Sequence, residues 1–151
     1  MKEEIKRKDG VSPETDELSS TLMGDAFDLL AEGTTFNVLL VIQDGGGEVA
    51  SYEFSHDGVE ACLEGAREKV KKVASAHGDP DAHLADPLRY ALSYLGAVED
   101  ESGAYRDALL LEFGEKGYIS YSAYSFVEGI GSGDEFAWSE PAPAGETEPL
   151  L

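Results

Sequence analysis

The fold is decided by residues 34–54, which read TTFNVLLVIQDGGGEVASYEF. Apolar side chains fill both alternating sets of positions in residues 38–42, a pattern typical of a central strand that is covered on both sides. Asp44 and the three glycines after it predict a tight turn, because glycine adopts positive φ angles at little cost. Residues 48–54 again have strand character. We therefore predict a β-hairpin here.

A helix is predicted on the N-terminal side of this hairpin. Ser12 is suited to the N-cap, Pro13 to the first helical position, and Glu14 to the positive end of the helix dipole. Apolar residues then recur at three- and four-residue intervals up to Leu30, and Gly33 is well placed to end the helix.

A second helix is predicted on the other side of the hairpin. Asp57 and Glu60 have the spacing of a capping box, in which each residue satisfies a backbone N–H of the first turn. An apolar stripe runs from Val59 to Ala74, and His77 with Gly78 closes the pattern.

Three further strand-like segments follow, at residues 88–98, 105–113 and 118–127. The short breaks between them, at 99–103 and 114–117, contain glycine and are typical of hairpin turns. These segments predict an antiparallel meander.

The resulting fold class is α+β, with an antiparallel sheet of about five strands, two helices and the order α-β-β-α-β-β-β. The sequence of residues 136–139 is also compatible with one short extra edge strand. We expect both helices to cover one face of the sheet. The domain boundaries are expected to give a flexible charged tail at 1–11, a single domain at 12–140 and an acidic, proline-containing tail at 141–151.

The formal charge of -20 is unevenly distributed over the 151 residues. Residues 9–66 contain thirteen acidic residues and no lysine or arginine, whereas 1–8 and 67–72 are basic islands. A negative field of this size repels nucleic acid and anionic lipid, and it favours a cationic partner. We therefore expect no direct nucleic-acid binding.

The compartment is expected to be the cytoplasm. No apolar run approaches the roughly 20 residues of a membrane-spanning helix, so no membrane association is expected. The N-terminus lacks the apolar segment of a secretory signal. A single cysteine, Cys62, excludes an intrachain disulfide and fits a reducing compartment.

One loop collects weak candidates for metal ligands, namely His77, Asp79, Asp81 and His83. Imidazole and carboxylate groups bind zinc and other divalent ions, but this spacing matches no established site. A solvated polar loop is the favoured interpretation, and we expect no metal or other cofactor. No motif of a catalytic nucleophile or a zinc protease is present in the sequence.

Aromatic residues are concentrated in the meander and the segment after it. Tyrosines flanked by serines are typical of contact surfaces, because tyrosine buries a large area at a small entropic cost. The alternative explanation is that these aromatic residues simply have high strand propensity and pack in the core. The candidate partner-binding residues are Tyr118, Tyr121, Tyr124, Phe126 and Trp138.

No motif in the sequence identifies a specific function. The favoured hypothesis is a cytoplasmic protein-binding or regulatory domain, rather than an enzyme, that contacts a protein partner or a second copy of itself through the aromatic meander. One alternative is an acidic inhibitor or immunity-like protein whose field mimics nucleic acid or complements a basic partner. Another alternative is a metal-assisted hydrolase that uses the loop from His77 to Asp86.

Overall fold

The computed structural model describes residues 7–55 and 57–151. The first six residues of the predicted N-terminal tail and His56 lie outside this part. Within the described residues there are two helices and seven strands, in the order α1 Pro13–Glu32, β1 Val38–Asp44, β2 Val49–Phe54, α2 Val59–Ser75, β3 Pro87–Glu99, β4 Tyr105–Glu115, β5 Ser120–Glu128, β6 Ala137–Trp138 and β7 Ala142–Thr147. Short 3-10 turns occupy Pro80–Ala82 and Gly133–Glu135.

All the strands belong to one antiparallel sheet with the order β2-β1-β3-β4-β5. Two short segments, β6 and β7, pair with different parts of the outer side of β5. The predicted α+β class and the element order are confirmed. The sheet has slightly more strands than predicted, because the acidic C-terminal segment adds β7.

The first helix begins and ends where the sequence predicts. Ser12 is the N-cap, and its Oγ accepts a hydrogen bond from the Thr15 amide at 3.1 Å. Gly33 ends the helix in the left-handed region, with φ of +79°. A Cβ at this glycine would lie 3.3 Å from the Cα of Gly131, so both the backbone conformation and the close neighbour favour glycine here.

The two helices lie on opposite faces of the sheet, which corrects the expectation that both cover one face. Val38, Leu40 and Ile42 pack against α2, whereas Leu39 and Val41 pack against α1. The reason is visible in β1 itself, because a strand that is apolar on both faces needs cover on both.

The larger core lies between α2 and the sheet. The fully buried Tyr90 and Leu92 of β3 sit next to the apolar residues of β1, and α2 contributes a buried stripe of Cys62, Ala66, Val70 and Val73. The start of α2 differs from the prediction: the N-cap is Gly58, without a side-chain cap, and Asp57 takes a positive φ of 65°.

On the other face, α1 packs mainly over β3 and β4 and less extensively over β1. Leu18 and Leu22 meet Ala91 and Leu111 there. This placement leaves β2 without a helix on the same face, and a groove forms between α1 and the hairpin.

Both ends of the described part of the chain contact the sheet. Lys8 forms an isolated parallel bridge with Tyr118, and Leu150 is buried in the core beneath α2. Residues 141–151, which the sequence predicts as a tail, thus run along β5 and return to the core. Among the described residues no helix is long and apolar enough to cross a membrane.

Candidate binding groove

A groove of about 690 Å³ runs between α1 and the β1–β2 hairpin, over the part of the sheet that α1 leaves uncovered. We call it the acidic groove. Its helical wall contains Glu14, Glu17, Thr21 and Asp25, its floor Leu18, Leu22, Val41, Gln43 and Arg89, and its outer wall Gly45, Gly46, Gly47, Val49 and Ser51.

The helical wall carries only negative charge. Glu14, Glu17 and Asp25 are all exposed on the groove side of α1. The helix has no basic residue anywhere along its length. The wall therefore attracts cations and repels anions.

The floor and the outer wall add apolar surface. Leu18 and Leu22 are buried at the base of the helix, Val41 is half-buried, and Val49 is 45% exposed on the edge strand. A ligand in this groove thus meets carboxylates on one side and aliphatic carbon below and opposite.

Arg89 is the one cation that lines the groove among residues 7–55 and 57–151, and its charge is already balanced. Its Nε donates to Glu115 Oε1 at 2.9 Å, and its Nη1 donates to Gln43 Oε1 at 2.7 Å. Both partners of the ion pair are nearly buried, with side chains about one-tenth exposed. The guanidinium therefore holds the floor together and does not offset the acidic wall.

Glu115 joins this floor to the start of α1. Its Oε1 also accepts hydrogen bonds from Ser12 Oγ at 2.7 Å and from Thr15 Oγ1 at 3.1 Å. Burial opposes ionisation of the carboxyl group, but the hydrogen bonds from Ser12, Arg89 and Thr15 outweigh it and hold the pKa below its usual value. The first turn of α1, and with it Glu14 and Glu17, is thereby fixed to the sheet.

The glycine turn at the end of the groove is fixed by Asp44. Its Oδ1 accepts from the amides of Gly46 at 2.9 Å and Glu48 at 3.0 Å, and its Oδ2 accepts from the Ala85 amide at 2.9 Å. The Ala85 bond is the largest cause of the lowered pKa of Asp44. Hydrogen bonds therefore hold the boundary of the groove in place at its turn and at its helix.

A second, smaller pocket of about 240 Å³ continues the acidic groove along the hairpin. The two share Leu22, Asp25, Val41 and Ser51. The continuation adds Leu39 to the floor and Glu53 to the outer wall. Carboxylates thus flank the extended groove on both sides.

The loop proposed for metal binding has other contacts. Asp79 Oδ2 accepts the Tyr52 hydroxyl at 2.6 Å and lies 3.6 Å from Lys69 Nζ. The Tyr52 bond is the main cause of the lowered pKa of Asp79. His77 is exposed and its Nδ1 lies 3.5 Å from Asp86 Oδ1.

The remaining candidates of this loop, Asp81 and His83, are both exposed. Across residues 7–55 and 57–151, no three His, Cys, Asp or Glu side chains gather in an arrangement that could hold a metal ion. The loop connects α2 to β3, and its side chains Asp79 and His77 contact Tyr52, Lys69 and Asp86.

The structure does not bring the five aromatic candidates onto one surface. Tyr121 lies on the α1 side of the sheet, where its hydroxyl accepts from the Gly10 amide at 3.0 Å. Tyr124 and Phe126 lie on the opposite side and pack edge to face at 5.3 Å. The Lys8 ammonium lies 5.6 Å from the ring centroid of Tyr118.

Trp138 is the most exposed of the five, at 56%. Its ring stacks on the buried Phe27 at 4.9 Å and lies 6.2 Å from Phe136. It therefore forms a small aromatic cluster at the C-terminal end of α1, apart from the meander tyrosines.

The sequence contained a signal for the acidic groove, namely the stretch 9–66 with acidic residues and no lysine or arginine. Net charge alone does not locate the groove, because the position of α1 relative to the hairpin depends on tertiary packing. No protein-family model, curated protein or solved structure matches this chain.

Proposed function

We propose that this protein is a non-enzymatic binding domain that holds a positively charged segment of a protein partner in the acidic groove. The observation that carries the proposal is the one-sided charge of the groove. Glu14, Glu17 and Asp25 line it, and Arg89, the one cation in the described lining, is neutralised by Glu115. This is the basic-partner version of the acidic inhibitor hypothesis.

The apolar part of the groove lining indicates which kind of basic segment would bind. Val41 and Val49 offer aliphatic surface between the carboxylates. A lysine or arginine side chain fits such a surface well, because its methylene stem packs on apolar carbon while its charged end reaches a carboxylate. A segment with basic and aliphatic residues therefore satisfies both parts of the groove.

The net negative charge of the protein also argues against nucleic acid and anionic lipid as ligands. The body of the protein repels phosphate groups, so we propose a protein partner and no nucleic acid or membrane. We propose a cytoplasmic location, because the single thiol of Cys62 is buried in the core and no disulfide stabilises the domain.

The test uses a fluorescent peptide of alternating lysine and leucine, titrated with the full-length protein by fluorescence polarisation. We expect binding that weakens steeply between about 50 and about 300 mM NaCl, because the contacts are solvent-exposed charge pairs. A glutamate–leucine peptide of equal length serves as the negative control. Equal binding of the two peptides would contradict the proposal.

Charge reversal locates the site. The triple change Glu14→Lys, Glu17→Lys and Asp25→Lys is expected to weaken binding by at least about tenfold. The matched control reverses three exposed carboxylates at the far end of the meander, Glu99, Glu101 and Asp107, and changes the net charge by the same amount. If both triple variants lose affinity equally, the net charge and not the groove is responsible.

The exposed aromatic residues remain second candidates for the same class of function, and the exposure of Trp138 supports this alternative. It predicts that Tyr124→Ala or Trp138→Ala weakens partner binding or changes the oligomeric mass. Neither residue lines the acidic groove. Both variants should therefore leave the peptide affinity unchanged if the groove is the site.

A further inference from the structure

The two edges of the sheet are built differently. On the β7 edge, Pro143 lacks an N–H group, the pairing with β5 is interrupted between Ser122 and Ala123, and Gly145 takes a φ of +106°. These features protect an edge against pairing with another strand. The β2 edge has none of them: its six residues pair with β1 in unbroken register and include no proline or lysine.

The backbone of β2 presents hydrogen-bonding groups on its outer side. The Asp44 amide donates to the Glu48 carbonyl at 3.0 Å, which fixes the alternation of the hairpin. Since bonded and non-bonded pairs alternate in an antiparallel ladder, Ala50 and Tyr52 bond to β1, and the N–H and C=O groups of Val49, Ser51 and Glu53 point away from it.

These three residues are exposed, and the described part of the chain adds no strand beyond them. Their side chains also line the acidic groove or its continuation. One set of residues thus offers a free backbone edge and one wall of the groove.

We propose that β2 accepts an extended strand from the basic partner, so that the bound segment pairs with Val49, Ser51 and Glu53 and turns alternate side chains toward the groove. This inference rests on the proposed function and specifies the conformation of its ligand. Such strand addition supplies affinity through main-chain hydrogen bonds and specificity through alternate side chains.

The side chains of β2 favour a basic partner segment over a second copy of this chain. A basic residue opposite Glu53 forms a favourable cross-strand pair, and an aliphatic residue opposite Val49 covers exposed carbon. A second copy of this chain fits less well. Antiparallel pairing of two β2 strands about Ser51 places Glu53 against the valine of the other copy and brings together two bodies of charge -20.

Hydrogen exchange followed by NMR tests the inference directly. The alternating lysine–leucine peptide is expected to slow exchange of the Val49, Ser51 and Glu53 amides by at least about tenfold. The amides of Ala50 and Tyr52 are the internal control, because the β1 ladder already protects them. Unchanged exchange at the three outer amides in the saturated complex would overturn the inference.

A peptide of identical composition, with its leucines spaced three and four residues apart, separates this inference from the proposed function. It favours a helix, in which the backbone N–H and C=O groups bond to each other and not to an edge strand. Weaker binding of this isomer supports strand addition. Equal binding, with unprotected outer amides, overturns strand addition and leaves the acidic groove intact, whereas failure of both peptides to bind overturns the proposed function as well.

A backbone variant completes the test. Ser51→Pro removes one outward N–H group without removing a donor from the β1 ladder, and it is expected to reduce affinity for the alternating peptide by about tenfold while sparing the helical isomer. Ala144→Pro places the same change on the β7 edge as a control. Glu53→Lys, which keeps the backbone intact, is expected to weaken the alternating peptide even if Ser51→Pro disturbs folding.

Discussion

Arg89 Nε lies 2.9 Å from Glu115 Oε1 beneath the first turn of α1, so an interior ion pair of the sheet also anchors a helix. Arg89 belongs to β3 and Glu115 to β4, and the two residues are direct cross-strand neighbours. Ser12 and Thr15 add their hydroxyl groups to the same carboxylate oxygen. The helix that forms the acidic wall of the groove is thereby held in position from below.

Replacing Glu115 with glutamine is expected to lower the free energy of unfolding by about 3 kcal/mol at neutral pH, because it leaves the buried Arg89 guanidinium without a counter-charge. Urea denaturation measures this loss. The control is Glu128→Gln, which removes the exposed partner of Arg106 and is expected to cost less than about 1 kcal/mol.

The same variant has a defined pH dependence. The pKa of Glu115 is lowered in the folded state, so its ionised form stabilises the protein above the unfolded value, near 4.5, and this contribution disappears as the pH falls through the lower folded pKa. The difference between the wild type and Glu115→Gln should therefore shrink in acid. A difference that is constant from neutral to acidic pH would contradict this role.

A second ion pair joins α2 to the opposite face of the sheet. Arg67 donates from Nε and Nη2 to both carboxylate oxygens of Glu112, whose side chain is 6% exposed. Arg67→Met alone is expected to cost about 3 kcal/mol, because Glu112 stays buried without its partner. The double variant with Glu112→Leu should recover most of that loss, and a double-mutant cycle by chemical denaturation measures the coupling. Additive losses would exclude a coupled pair.

Gly24, within α1, and Gly33, at its C-cap, are expected to respond oppositely to alanine. Gly33→Ala should cost about 1–2 kcal/mol, because its φ of +79° is unfavourable for a residue with a Cβ and Gly131 lies close by. Gly24 is exposed within the helix and a Cβ there meets nothing within 4 Å, so Gly24→Ala should stabilise by about 1 kcal/mol. Thermal denaturation of both variants checks the signs, and losses in both would contradict the prediction.

Much of the fold could be predicted because its signals are local. Ser12, Pro13 and Gly33 bound α1 as expected, and the turn at 45–47 joins β1 to β2. The start of the second helix differs from the prediction, because the N-cap is Gly58 and not Asp57. β7 was not predicted, because its alanine, proline and glycine residues have little strand propensity and are held by pairing with β5.

The candidate site was less accessible to sequence reasoning because it depends on where α1 packs. The apolar alternation in β1 indicated cover on both faces, yet it could not show that α1 would lie over β3 and β4 and leave β2 open. The aromatic candidates illustrate the same limit of local patterns. Tyr121 and Tyr124 are close in sequence but lie on opposite faces of β5.

The contact between Ser12 and Glu115 spans 103 positions of the chain. During synthesis, the first helix therefore emerges long before the carboxylate that completes its cap. Until β4 is made, the hydroxyl groups of Ser12 and Thr15 can only bond to water or to their own turn. The hydrogen bonds that fix the first turn of α1 to the sheet can therefore form only after β4 has been made.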